Sequence, residues 1–182
     1  MRILAISGSL RSGSHNTELL RLAAAAAPEG VEVELYDGLK EVPPYDADDD
    51  VEPRPEPVTR LRDAIAESDA VLFATPEYNS SIPGALKNAL DWVSRPLLES
   101  PLRNTPVAVI SSSTGMFGGV WAQAELKKVL GAIGARTLDA AATVPKAHER
   151  LAVGRGEALF DELGSVVDAL AAAVDERVAA AA

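Results

Sequence analysis

Cysteine is absent from this chain of 182 residues, and basic residues are scarce: 17 lysines and arginines stand against 27 acids. Without cysteine there is no disulfide framework, no thiolate zinc site, no thiol redox catalysis and no cysteine-dependent phosphatase chemistry. The formal net charge of −10 at pH 7 argues against a nucleic acid or an anionic membrane as partner, because both need a basic face. A chain without thiols suits the reducing cytoplasm, and we predict that location.

Long apolar runs are also missing. The run Ile3–Ile6 is too short for a signal peptide. Acidic residues, among them Asp168 and Asp175, interrupt the alanine-rich end of the chain, so no membrane span is predicted. The length suits one hydrophobic core, and we predict a single domain over residues 1–182.

The acidic segment 46–57 lacks the spacing of a metal site. Calcium loops place carboxylates on alternate residues around a glycine, whereas here Asp48, Asp49 and Asp50 are consecutive and lead into prolines. We therefore expect a solvated loop there and no metal site in the chain.

Apolar runs and amphipathic segments alternate along the chain, which predicts an α/β fold: a flavodoxin-like, doubly wound, parallel sheet of five strands with helices on both faces. The predicted strand order is 2-1-3-4-5. The predicted strands are residues 2–6, 31–36, 70–74, 107–110 and a short one within 136–143. The predicted helices are residues 16–27, 57–67, 83–94, 119–133 and about 156–179.

The loop Ser7–Thr17 follows the first strand and leads into a helix that we expect Asn16 to cap. Backbone N–H groups and the positive end of the helix dipole would meet there, which favours an anion. The side chains available to bind it are Ser9, Arg11, Ser14 and Thr17. The alternative is a polar turn in which the serines cap the helix and Arg11 is solvated.

Two common nucleotide motifs do not fit this loop. The spacing of Gly8 and Gly13 begins a P-loop, but Ser14 and His15 follow where the lysine and hydroxyl residue belong. The dinucleotide G-x-G-x-x-G pattern also fails. A single phosphomonoester is the better match.

Two further unusual loops follow the third and fourth strands, at residues 75–82 and 111–119. In the order 2-1-3-4-5, strands one, three and four are neighbours, so all three loops share one edge of the sheet, where ligands bind. The second loop offers Tyr78, Glu77 and Asn79 to a flat heterocycle, and the third offers glycines for close approach with Phe117 and Trp121 as apolar wall. A phosphate at one end and a flat polar ring at the other describe FMN.

The same loops carry a family resemblance over nearly the whole chain. The motifs are Gly8-Ser9-Leu10-Arg11 with Ser14 and Asn16, Pro76-Glu77-Tyr78-Asn79 continuing into Pro83–Trp92, and Ser113-Thr114-Gly115 with Gly118-Gly119. In these the chain resembles the NADPH-dependent FMN reductases, a flavodoxin-like group of NAD(P)H:quinone and chromate reductases.

The resemblance implies a set of FMN-binding residues and a reaction. Hydride would pass from NAD(P)H through bound FMN to a quinone, flavin, chromate or azo compound by a ping-pong mechanism, with no catalytic side chain. The implied FMN contacts are Ser9, Arg11, Ser14, Asn16 and Thr17 at the phosphate, Pro76, Glu77, Tyr78 and Asn79 at the ring, and Ser113, Thr114, Gly115 and Gly118 at its other edge. His15 is a further candidate in the same loop, with its role open.

The resemblance further implies a homodimer or homotetramer with Trp92 near a subunit contact; the alternative is that Trp92 is simply a buried aromatic. Two other functions stay open at this point. One is a flavodoxin-type electron carrier that binds FMN without oxidising NAD(P)H. The other is a flavin-free module that senses nucleotide phosphate.

Overall fold

A parallel sheet with the neighbour order β2-β1-β3-β4-β5 forms the centre of the molecule, as the computed structural model of residues 1–151 and 156–181 shows. A sixth short strand also pairs with β4. The strands are β1 (Arg2–Ser7), β2 (Glu32–Tyr36), β3 (Ala70–Thr75), β4 (Pro106–Ser112), β5 (Arg136–Thr137) and β6 (Thr143–Val144). The predicted fold class and strand order are confirmed.

Helices cover both faces of this sheet. They are α1 (His15–Ala25), α2 (Glu56–Ala66), α3 (Gly84–Val93), α4 (Val120–Ile133), the short α5 (Ala147–Arg150) and α6 (Glu157–Ala181). Short 3₁₀ turns lie at Gly38–Glu41 and Leu97–Glu99. No helix within the described ranges is both long and apolar enough to cross a membrane.

Successive residues of the central strands face opposite cores. Ile3 and Ala5 belong to the core beneath α1 and α6, whereas Leu4 and Ile6 belong to the core beneath α2, α3 and α4. All residues of β3 and β4 are buried, as expected for strands covered on both faces. The alternation in β2 leaves its glutamates exposed, so β2 is an edge strand.

The predicted fifth strand is two short strands rather than one. β5 and β6 both pair in parallel with β4, at its two ends, and the residues between them leave the sheet. That intervening stretch contains Asp139, Ala140 and Ala141, which favour strands weakly. β5 and β6 therefore cover the two ends of the β4 edge, and in its middle the side chain of Gln123 donates from Nε2 to Val109 O at 3.0 Å.

The acidic segment contains no helix or strand before α2 begins at Glu56, and most of its residues are exposed, as expected for a solvated loop. Arg54 Nε donates to Asp50 Oδ1 at 3.0 Å, and both side chains are largely buried. A second ion pair joins Arg54 to Glu52. These ion pairs connect Arg54 to acids that precede it, and the last two residues of the segment, Glu56 and Pro57, belong to α2.

Candidate functional site

Three loops meet at the carboxyl edge of the sheet. Strand pairing aligns Ser7 with Ala74 and Thr75 with Ser111, so the chain leaves β1, β3 and β4 at one level. Between these loops lies a cleft of about 370 Å³. Its lining residues are Ser9, Arg11, Ser14, His15, Asn16, Pro76, Glu77, Tyr78, Ser112, Ser113 and Thr114.

The first loop ends in a capped helix. Ser14, rather than Asn16, is the N-cap of α1, and its Oγ accepts from the backbone N–H of Thr17 at 3.3 Å. The helix begins one residue before the predicted start because His15 already has helical geometry. Arg11 is exposed, lines the cleft and has no hydrogen-bond partner among the described residues. The cleft therefore has an unpaired guanidinium and a helix N-terminus at one end.

Asn16 joins the first loop to the third. Its side chain is 3% exposed, its Oδ1 accepts from Ser112 N at 2.9 Å, and its Nδ2 donates to Ser112 O at 3.2 Å. Asn16 therefore fixes the distance between α1 and the end of β4. Thr17 lies outside the cleft lining, and its Oγ1 lies 2.9 Å from Ser7 Oγ.

Ser112 is a lining residue that the sequence did not single out. It is 1% exposed, and its Oγ is buried without a hydrogen-bond partner among the residues that the structure describes. A buried hydroxyl without a partner is uncommon in a folded protein and is often explained by an absent ligand or water. The available signal was the change from apolar residues to Ser111 and Ser112 at the end of β4.

The second loop is a tight hairpin. Tyr78 and Ser81 exchange backbone hydrogen bonds of 3.0 and 3.1 Å, and the two residues between them are left-handed, with φ of 53° at Asn79 and 60° at Ser80. Positive φ at both central residues defines a type I′ turn. Tyr78 lines the cleft and is 52% exposed, whereas Asn79 is exposed outside the lining.

Glu77 connects the second loop to α4. Its Oε2 accepts from the backbone N–H groups of Trp121 at 3.1 Å and Ala122 at 3.2 Å. These N–H groups belong to the first turn of α4, where a helix has no internal acceptors for them. The carboxylate therefore caps a helix that begins more than 40 residues later in the chain.

The third loop is packed closely against β6 and β4. Ser113 and Thr114 line the cleft, while Gly115 and Gly118 do not. Gly118 has a φ of +64°, and a Cβ there would lie 2.7 Å from Thr143 Cγ2 and 2.8 Å from Pro145 N. Its glycine is thus required by packing. The loop is also held from α5, because Ala147 N donates to Ser113 O at 3.0 Å.

His15 stands at the first position of α1 and lines the cleft. Burial lowers the pKa of its imidazole below the ordinary value, and the charges of Arg11 and His148 lower it further. The ring is therefore mainly neutral at pH 7 and can donate from one nitrogen while accepting at the other.

Trp92 is a buried aromatic side chain, which is the second of the two interpretations that the sequence left open for it. It is 0% exposed; its Nε1 donates to Pro43 O at 2.9 Å, and its ring meets that of Tyr45 edge to face at 4.9 Å. Its side chain is therefore covered within its own chain. Exposed apolar side chains gather instead on the third loop and the start of α4: Met116, Phe117, Val120 and Trp121. The rings of Phe117 and Trp121 pack edge to face at 5.0 Å.

The cleft fits FMN in three respects. Arg11, which makes no hydrogen bond to any described residue, and the α1 N-terminus offer positive charge to a phosphate. Ser112 offers a buried hydroxyl that no described residue pairs with. Pro76 and Tyr78, which follow β3, contribute apolar and aromatic side chains to the lining, and the volume lies in the range of small-molecule sites.

Comparisons with known proteins agree with this interpretation. The family model described as NADPH-dependent FMN reductase matches residues 1–149. An NAD(P)H-dependent FMN reductase of Pseudomonas aeruginosa is 45% identical over 130 residues, which are 71% of this chain and 69% of that protein. A quinone reductase of Escherichia coli is 40% identical over 131 residues, again 71% of this chain and 69% of the relative.

A solved structure resembles the whole molecule. FerB, a flavoenzyme NAD(P)H:(acceptor) oxidoreductase from Paracoccus denitrificans, superposes with a TM-score of 0.80 at 33% identity, covering 96% of this chain and 97% of that one. The chain therefore belongs to the NADPH-dependent FMN reductase family: it is an oxidoreductase that uses FMN as cofactor and NAD(P)H as electron donor.

Proposed function

We propose that this oxidoreductase delivers its electrons to a quinone, with free flavin, chromate or an azo compound as further acceptors of the same site. The observation that supports the proposal is the cleft itself, which has the exposed guanidinium of Arg11 at one end and an exposed aromatic side chain, Tyr78, at its rim. The quinone is suggested by the name of the Escherichia coli relative.

In this proposal the side chains bind and orient rather than transfer protons. Arg11, Ser9 and Ser14 would hold the phosphate of FMN. Ser112 would donate a hydrogen bond to FMN from its buried hydroxyl group. The residues that would border the ring are Pro76, Glu77 and Tyr78. When bound, FMN supplies the hydride chemistry, accepting from NAD(P)H and giving to the acceptor. Asn16 would keep the two sides of the cleft at a fixed separation through its paired hydrogen bonds to Ser112.

Steady-state kinetics test this proposal. If donor and acceptor occupy the same place in turn, double-reciprocal plots of NAD(P)H oxidation at several quinone concentrations are parallel. Intersecting lines would show that both substrates are bound together and would contradict the proposal. The flavodoxin-type carrier, which the comparisons do not favour, predicts negligible NAD(P)H oxidation by the purified, FMN-loaded protein.

A cytoplasmic homodimer or homotetramer belongs to the same proposal. The exposed group Met116, Phe117, Val120 and Trp121 supports self-association, since aromatic residues and Met are enriched at protein interfaces. Sedimentation velocity over a range of concentrations would measure the oligomeric state, and a monomer at every concentration would contradict it.

A further inference from the structure

We propose that Glu77 is a positioning residue for FMN. By capping α4, its carboxylate holds the segment 76–81 against the first turn of that helix, which follows the third loop, and so sets the affinity of the cleft for FMN. The inference rests on the proposed function, because it concerns the same cleft, and it goes beyond a lining role for Glu77.

The first step is that α4 has no cap of its own. Its N-cap position is Gly119, left-handed with a φ of +90°, which offers no side chain to the free N–H groups of the first turn. Glu77 supplies the acceptor at 3.1 and 3.2 Å. A carboxylate there is doubly favourable, because it satisfies two donors and lies at the positive end of the helix dipole.

The second step is that the rest of the segment is held weakly. Tyr78, Asn79 and Ser80 are exposed, and the hydrogen bonds between Tyr78 and Ser81 stay within the turn. Left-handed backbone at residues other than glycine persists only where the surroundings fix it. At the far end the buried Ile82 does so. At the near end, Glu77 connects the segment to α4. Among the residues that the structure describes, no other side chain of 76–81 makes a hydrogen bond to another element.

The third step is that α4 is a fixed anchor. Gln123, one residue beyond the capped N–H groups, is buried and donates from Nε2 to Val109 O at 3.0 Å and to Ala142 O at 3.1 Å. The helix start is thus tied to β4, and Glu77 transmits that fixed position to the turn at the rim of the cleft. Without the hydrogen bonds of Glu77 to α4, the segment at the ring-binding side of the cleft would become ordered only when FMN binds. The entropy cost of that ordering lowers the affinity for FMN.

Three substitutions at Glu77 separate reach from charge. Glu77→Gln keeps the length and an oxygen that accepts from both N–H groups, whereas Glu77→Asp keeps the charge but is one methylene too short. Glu77→Ala removes both. We expect the Kd of apoprotein for FMN, measured by quenching of flavin fluorescence, to rise at least tenfold in Glu77→Ala and Glu77→Asp. Glu77→Gln should stay within about threefold of the parent.

Glu125→Ala is the matched control, since it removes an acid from the second turn of the same helix and should leave the Kd within twofold. The absorption spectrum of bound FMN gives a second readout: Glu77→Gln should keep the parent spectrum, and Glu77→Ala should shift it. A merely structural cap would lower the melting temperature of the apoprotein and leave both the Kd and the spectrum unchanged, which would overturn the inference.

Two other outcomes are equally informative. If Glu77→Gln binds FMN as weakly as Glu77→Ala while Glu77→Asp binds normally, the charge matters and the reach does not, and the positioning role is wrong. If the parent apoprotein binds no FMN, the proposed function fails and this inference with it. A parent that binds FMN no more tightly than Glu77→Ala overturns the inference alone.

Discussion

At the scale of single residues, Arg11 is the side chain whose environment most directly predicts its effect. It lines the cleft, is exposed and has no hydrogen-bond partner in the part of the chain that the structure describes. An exposed guanidinium without a hydrogen-bond partner in the described part of the chain breaks no described protein hydrogen bond when it binds a phosphate. Burial lowers the pKa of the nearby His15 imidazole, which is therefore mainly neutral at pH 7 and adds little positive charge beside the guanidinium.

Replacing Arg11 with alanine should weaken FMN binding by about 1.5 to 3 kcal/mol, the range for a hydrogen bond to a charged group. That corresponds to a roughly 10- to 150-fold rise in Kd, measured by fluorescence titration of apoprotein. Arg21→Ala is the control, because Arg21 is an exposed arginine on α1 that pairs with Glu18 outside this cleft. Equal Kd values for the two variants would remove Arg11 from the phosphate site.

The sequence predicted which residues meet at the cleft better than what each of them does there. Ten of the fourteen predicted binding residues line it, because parallel strands bring their following loops to one edge. The individual roles depend on hydrogen bonds between distant segments. Asn16 meets Ser112 across 96 positions, and Glu77 meets Trp121 across 44. No local sequence pattern predicts hydrogen bonds between such distant residues. The hydrogen bonds of Asn16 to Ser112 and of Glu77 to α4 could therefore be identified only from the structure.

At the scale of elements, the sheet was predictable where the sequence is uniform. β3 and β4 are continuous apolar runs, and the structure buries every one of their residues. The last strand was not predictable in this way. Alanine and aspartate, which have low strand propensity, occupy its middle, whereas Thr137, Thr143 and Val144 at its ends favour strands. Pairing survives only at those ends. The second of them, β6, is where the third loop approaches closely at Gly118.

That close approach makes a prediction about two glycines with nearly equal φ. Gly13 has φ +67° and open space where a Cβ would stand, so Gly13→Ala should cost only the left-handed penalty, about 1 to 2 kcal/mol. Gly118→Ala at φ +64° carries the same penalty and also meets Thr143 and Pro145 below 3.0 Å, which should cost about 1 to 3 kcal/mol more. Urea unfolding of the two apoproteins measures the difference. Equal free energies of unfolding would show that the third loop moves aside without cost.

At the scale of the whole molecule, the cofactor and the fold are linked. The cleft is formed by loops from β1, β3 and β4 together with the N-terminus of α1, so it exists only when the sheet and the helix are both in place. A ligand of such a site binds the folded state and not the unfolded chain, and must therefore stabilise the fold. The Asn16 bridge strengthens this coupling, because it joins α1 and β4 at the cleft itself.

The linkage can be measured as a melting temperature. FMN at 100 times its Kd should add about 2.7 kcal/mol to the free energy of unfolding. For a chain of this size that is a rise of roughly 5 to 11 °C, at about 2 to 4 °C for each kcal/mol. Riboflavin, which has the same ring system and no phosphate, should at the same concentration give a clearly smaller rise, because it forgoes Arg11 and the α1 N-terminus.

The variant Arg11→Ala then assigns that difference to a residue. If Arg11 grips the phosphate, the gap between the FMN and riboflavin melting temperatures should narrow in Arg11→Ala, while in the control Arg21→Ala it should stay as in the parent. A gap that is unchanged in Arg11→Ala would mean that the helix N-terminus and the serine hydroxyls hold the phosphate without the guanidinium. Equal melting temperatures with FMN and riboflavin in the parent protein would show that the phosphate does not bind at the first loop. A helix N-terminus and an arginine both attract negative charge, so a phosphate bound beside them would raise the melting temperature further.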